Sequence, residues 1–449
     1  MTAELTPDES AAIERFRTLL RFRTESPPEA ADTNWAEFEA FRAAVAELYP
    51  ALSAALELEL VDGHSMVFRW PGRAEGEPAV LMAHYDVVPA SDEGWVYPPF
   101  AAEMVGTGAD RTIWSRGTLD DKGALVTILE AVERRVAAGF VPEHEVLLCF
   151  GHNEEVFGSG ADEIVRVLGE RGVRPRFVLD EGGAVVRGVF PGVEQPIAVV
   201  GVSEKGIMTV ELVVEQAGGH ASTPPAMTAT ARLARAIDRI RRNPFPVSLS
   251  ETNREMVRTL GAHASGPIRW AADNLDKTGG ILARVFGQLG DETSAMVRTT
   301  AAVTMLSGSM AANALAERAT ATVNVRIAVG SSVAETITHL TRAVRDDQVR
   351  IVVVEANEPS PTSPTHGPAW ELLSRTIEET FADTIVTPYI MLGASDARKY
   401  TRISEHVYRF SPFDMSGDER ATLHAVNERI RVSTYLRGIT FYEALIGGL

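Results

Sequence analysis

From residue 57 to about 200, short apolar runs alternate with amphipathic stretches, and near Lys205 that rhythm changes. "EPAVLMAHYD", "HEVLLCFGHNEE" and "RPRFVLDEGG" read as strands, while "DKGALVTILEAVERRVAAG" and "GSGADEIVRVLGERG" read as helices entered after Asp or Gly and left at Gly. Strands alternating with helices imply an α/β layered domain with a mostly parallel sheet. After Lys205, "GIMTVELVVEQ" alternates with period two. The order that follows is a helix in "ATARLARAIDRIRR", strands at 301–307 and 317–329, a helix at 332–346 and the strand "VRIVVVEAN". This βαββαβ order suits a small α+β sandwich with helices on one face of an antiparallel sheet. Residues 250–300 read as a helical insertion within it, and the Pro- and Ser-rich "EPSPTSPTHGP" at 358–368 reads as a linker. Beyond it the pattern returns to the first domain. The expected division is 1–204 and 359–449 for one domain, with 205–358 inserted into it.

The length of 449 residues agrees with two domains, since single cores stop growing at roughly 250–300. A formal net charge of −18 argues against nucleic acid as a partner. One cysteine, Cys149, excludes both a disulfide framework and a thiolate metal cage. The first twenty residues read as an amphipathic helix capped by Asp8 or Ser10, without the basic start and apolar core of a signal peptide. No apolar run approaches the roughly 20 residues of a spanning helix, so no membrane partner is expected and a cytoplasmic location is.

Four strand ends carry the chemistry. They are His84 with Asp86, Asp120 with Asp121 in "SRGTLDDKG", Glu154 with Glu155, and Asp180 with Glu181. On an extended backbone residues i and i+2 point to the same side, so His84 and Asp86 aim at one place. A single acid after a strand is ordinarily a helix cap or a solvated loop residue. Four such ends on one edge of a parallel sheet concentrate negative charge that a cation must neutralise. Imidazoles and carboxylates without thiolate suit zinc, with manganese or cobalt as alternatives, and a carboxylate can bridge two ions.

The motifs "HYDVVP", "RGTLDDKG", "HNEEVFGSGA", "DEGG", "GGHASTPP" and "LHAVNERI" resemble, in order, those of the zinc-dependent aminoacylase/carboxypeptidase family. That family includes carboxypeptidase G, carboxypeptidase S, aminoacylase, dipeptidases and succinyl-diaminopimelate desuccinylase. "GASDARKY", "YRFSP" and "LHAVNERI" are most similar to the carboxypeptidase S and N-acyl-amino-acid hydrolase branch. The resemblance implies that His84, Asp120 and Asp180 hold one metal and Asp120, Glu155 and His424 the other. It implies a cis Asp120–Asp121 peptide, Asp86 orienting His84, and Glu154 as general base. It also implies that His220 stabilises the oxyanion from a partner subunit, that Asn313 and Arg326 contact substrate, and that Arg398 grips the substrate carboxylate. His152 and the other histidines without motif context are read as structural. The expected activity is a dizinc amidohydrolase that cleaves a peptide or N-acyl amino acid, as a homodimer joined through the inserted domain. A dipeptidase or desuccinylase-type deacylase, and a metal-dead binding protein on the same fold, are the alternatives.

Overall fold

A computed structural model describes residues 5–108 and 111–449. The chain forms two compact units. One takes the chain up to Val202 with Ser363–Pro388 and Ser395–Leu449, and the other takes Ser203–Thr362 with Tyr389–Ala394.

The first unit is of the α/β class, around a sheet whose centre is parallel. Strands Val146–Gly151, Ala79–His84, Phe177–Asp180 and Val407–Arg409 lie side by side in that order, all parallel. Antiparallel strands flank them, with Ser65–Trp70 and Glu57–Val61 on one side and Ile197–Glu204 on the other. Every residue of Ala79–His84 and Val146–Gly151 is buried, which is why these strands read as unbroken apolar runs. Alternation still sorts them by face. Val80, Met82, Leu147 and Cys149 pack with Ile164, Val165 and Leu168 of helix Gly160–Glu170. Helix Lys122–Ala137 packs on Ala79–His84 and on the helix Val432–Gly448. Cys149 is a buried free thiol.

The N-terminal helix, Pro7–Leu20, is capped by Thr6 rather than by Asp8 or Ser10. Thr6 and Glu9 satisfy each other's backbone N–H groups in a capping box, and Pro7 fits the first helical position, where no donor is needed. Among the described residues no helix is long and apolar enough to cross a membrane.

In the second unit the sheet order is Thr300–Ser307, Arg318–Ile327, Gly206–Glu215, Arg350–Asn357, all antiparallel. Ala319, Ala321, Val323, Val325 and Ile327 point inward in alternation, against Leu233, Ala236 and Leu340 of helices Ala229–Arg242 and Val333–Val344. The βαββαβ order of the sequence is the order of the structure. Residues 250–300 form helices Glu251–Gly261, Gly266–Asp273, Leu275–Leu289 and Asp291–Val297, gathered on Val257, Ala272 and Leu275.

Candidate metal centre

Parallel packing brings the ends of three strands to one edge of the first unit. His84 ends its strand, Asp180 ends the next, and Gly151 leads within three residues to the short turn Glu154–Val156. The loop before helix Lys122–Ala137 supplies Asp120 and Asp121, and a turn before strand Arg429–Arg431 supplies His424.

Asp86 explains why a core strand finishes with two ionisable side chains. Its Oδ1 lies 3.2 Å from His84 Nδ1, and its backbone oxygen 3.0 Å from the same atom. The same carboxylate accepts from the N–H groups of Glu154 at 3.2 Å and Glu155 at 3.1 Å. One buried acid thus fixes the ring of His84 and the turn that carries both glutamates. Burial opposes its ionisation, yet the hydrogen bonds and charge of His84 hold its carboxyl below the usual range.

With Nδ1 engaged, Nε2 of His84 faces the cluster, 3.0 Å from Asp120 Oδ1 and 3.4 Å from Glu181 Oε1. Nε2 of His424 lies 2.8 Å from Asp120 Oδ2 and 3.1 Å from Glu155 Oε2. Asp120 therefore shows one oxygen to each imidazole, the arrangement a bridging carboxylate requires. Two groups, His84 with Asp120 and Glu155, and His84 with Asp121 and Glu181, each hold their ligand atoms within 4.8 Å. The Asp120–Asp121 peptide is cis.

The geometry differs from the family resemblance at Asp180. Its Oδ2 accepts from the N–H of Ala397 at 2.8 Å, where helix Ala397–Tyr400 begins. The carboxylate that reaches His84 belongs to Glu181, one residue into the turn. Asp180 and Glu181, adjacent at the strand end, therefore face different partners.

Burial is the largest cause of the shifted carboxyls here. It pushes Glu154 well above the usual range, and Glu181 and Asp396 each to about 8, with neighbouring carboxylates adding to the effect. Hydrogen bonds to Asp120 and then Glu155 lift His424 to about 10. His84 also rises, because its bonds to Asp120, Asp86 and Glu181 outweigh its burial. The crowded carboxylates thus favour the protonated forms of these groups. Nitrogen and oxygen donors around such a charge deficit fit divalent cations, which would displace those protons. Glu181 and Asp121, named among the acids at the strand ends but given no metal by the resemblance, join the cluster, and so does Asp396, which the sequence did not single out. Asp396 stands two residues before Arg398 inside "GASDARKY", where the motif was the available signal.

Arg398 lies half-buried in helix Ala397–Tyr400. The second unit holds the remaining three residues. His220 is exposed on strand Gly219–His220, which pairs with Ala314–Leu315, and Ala221 N–H donates to Asn313 O at 2.9 Å. His220 and Asn313 are thereby neighbours. His220 Nδ1 accepts from the backbone N–H of Ser222 at 3.1 Å, so the neutral ring carries its proton on Nε2. Arg326 sits in the sheet between Ile207 and Thr300.

Residues 80–447 match the sequence profile of peptidase family M20/M25/M40. The chain is 35% identical over 416 residues to a probable carboxypeptidase S-like 2 of Dictyostelium discoideum, covering 91% of this chain and 79% of that one. It is 33% identical over 430 residues to the N-fatty-acyl-amino acid synthase/hydrolase PM20D1 of Homo sapiens, covering 94% and 84%. In fold it is similar to an M20 family metallo-carboxypeptidase of Sulfolobus solfataricus, with TM-score 0.68 at 16% identity over 98% of this chain and 99% of that one. It is likewise similar to human carnosine dipeptidase 1, with TM-score 0.66 at 14% identity over 98% and 96%. A profile match across most of the chain and relatives a third identical along nearly all of it lead to one conclusion: this chain belongs to peptidase family M20/M25/M40, a family of metal-dependent hydrolases.

Proposed function

We propose that the chain hydrolyses the amide bond of an N-acyl amino acid or a peptide that ends in a free α-carboxylate. The observation that carries this reading is Asp120, whose two oxygens divide between His84 and His424. His84, Asp120 and Glu181 would hold one divalent ion and Asp120, Glu155 and His424 the other, zinc by preference for this donor set. When bound, the ions polarise the amide carbonyl and bring the pKa of water toward roughly 7. Glu154, fixed through its backbone by Asp86, takes the proton from water and returns it to the leaving amine. Arg398 offers a planar fork to the substrate carboxylate. The names of the relatives support this substrate class, since carboxypeptidase S and N-fatty-acyl-amino acid hydrolase both denote amides of an amino acid.

His220, its proton on Nε2, would donate to the developing oxyanion from a partner subunit. The edge strands of the second sheet support pairing there, since Met305, Leu306 and Val354 expose 67, 68 and 62% of their surface.

The test is released amine from the zinc-loaded chain over N-acyl amino acids, unblocked dipeptides and the C-terminal amides of both. N-acyl amino acids should be cut, and Arg398→Ala should hurt carboxylates more than amides. Failure to cleave either N-acyl amino acids or dipeptides would overturn the substrate class, and equal losses for both ends would make Arg398 a structural ion-pair residue.

A further inference from the structure

Glu428 lies four residues beyond His424 and is fully buried, yet it is no part of the acid cluster. Each of its oxygens is spent on the loop that ends in Asp120. Oε1 accepts from the N–H of Leu119 at 2.8 Å and of Asp120 at 3.3 Å, with the Thr118 hydroxyl at 3.4 Å. Oε2 accepts from Arg116 Nη1 at 2.7 Å and from the N–H of Gly117 at 3.1 Å. Its own backbone oxygen accepts from Ser115 N–H at 3.1 Å. One carboxylate of a distant segment thus accepts from three backbone N–H groups of the loop, those of Gly117, Leu119 and Asp120. Arg116, 3% exposed, pairs with it at 2.7 Å.

We infer that Glu428 is the positioning residue that holds the Asp120 carboxylate against His424. The two groups come from chain segments some three hundred residues apart and meet at 2.8 Å. His424 and Asn427 both have left-handed backbone, φ 57° and 65°, a conformation most residues avoid, so the turn between them needs an anchor. Glu428 supplies it at the first residue past that turn, and strand Arg429–Arg431 then pairs with Thr112–Trp114 just upstream of the clamped loop. Glutamine at 428 keeps the shape but turns an NH₂ toward one set of donors, freeing half of the loop.

The inference rests on the two-ion reading and is tested on Co²⁺ binding to metal-free full-length protein. Affinity is followed by titration and geometry by the visible spectrum of the bound ion. Glu428→Gln and Arg116→Met break the same ion pair, so a purely structural role predicts equal effects. Positioning predicts that Glu428→Gln alone loses affinity by roughly 10–100-fold, with a changed spectrum. Equal loss in both variants, or none in Glu428→Gln, overturns it. Should either single variant fail to fold, Arg116→Met/Glu428→Leu removes the pair without leaving a buried unpaired charge. Wild-type affinity in that double variant overturns the inference, and weakened affinity with wild-type melting supports it. Wild-type protein that binds no Co²⁺ would instead defeat the two-ion reading itself.

Discussion

Asp346 in the second unit and Glu181 in the first are both acids withdrawn from water, and they are kept in opposite ways. Asp346, with a side chain 6% exposed, takes Arg232 Nη1 on both oxygens at 2.7 and 2.8 Å and Arg235 at 2.7 Å. Burial works against its charge, but the two guanidinium groups hold its carboxyl below the usual range. Glu181 meets an imidazole and other carboxylates, and its carboxyl rises to about 8. An acid with a guanidinium partner is complete as the chain folds. An acid among acids waits for something from solution. The second unit is therefore finished by its own sequence, whereas the first is finished by ions.

The sharpest way to break this contrast is to take the ions away. Chelation should abolish amide hydrolysis, with zinc or cobalt restoring it, measured as released amine, and full turnover in protein verified as metal-free would refute it. Next in size, Glu154→Gln should lose about 10²–10⁴-fold in kcat while elemental analysis finds both ions retained. Loss of ions in that variant would move Glu154 into the ligand set. His220→Ala should cost roughly 10²–10³-fold, the worth of one oxyanion donor. Mixing inactive Glu154→Gln with inactive His220→Ala, under conditions where subunits exchange, should regenerate activity at one site of each heterodimer. A mixture that exchanges and stays inactive refutes action across subunits.

Glu181→Gln against Asp180→Asn sharpens the comparison within the cluster. The first should weaken metal binding by at least the roughly 10–100-fold that loss of an outer partner costs. The second should weaken it less, because an amide oxygen still accepts from Ala397 N–H. The reverse order would return Asp180 to the metal.

That pair also marks where reading the sequence stops. Strand ends, and the acids after them, are legible because apolar runs and their punctuation are local facts. His84, Asp86, Asp120, Glu155 and His424 meet in the structure, drawn from two strand ends, a loop and a distant turn, and the βαββαβ unit follows directly from its periodicity. Which of Asp180 and Glu181 faces inward depends on where helix Ala397–Tyr400 docks, more than two hundred residues later in the chain. Glu428 was equally hidden, since its partners at 116–120 have no local relation to it. Thr6 shows the same limit at short range, because Asp8 and Ser10 are equally good capping residues and only the helix start decides among them.

The smallest effect belongs to the self-sufficient unit. Asp346→Asn should cost up to about 1 kcal/mol, or roughly 2–4 °C in Tm. Its carboxyl is depressed in the folded state, so the contribution is present above the unfolded value of about 3.9 and lost as pH falls through the folded one. The difference in Tm between wild type and variant should thus be constant above about pH 5 and close in more acidic buffer. A difference that instead grows on acidification would show that the arginines do not hold it.

Chain order gives the parallel strand Val407–Arg409 a meaning in time. It lies beside Phe177–Asp180 in the finished sheet, but the ribosome makes it only after the whole of the second unit. At about 5–20 residues per second the interval is on the order of tens of seconds. Throughout it, the growing polypeptide carries an open strand edge ending in acids, with one imidazole of the pair still unmade. The cluster therefore lacks His424 until the inserted unit has been made, and the insertion acts as a built-in delay before the whole ligand set can assemble.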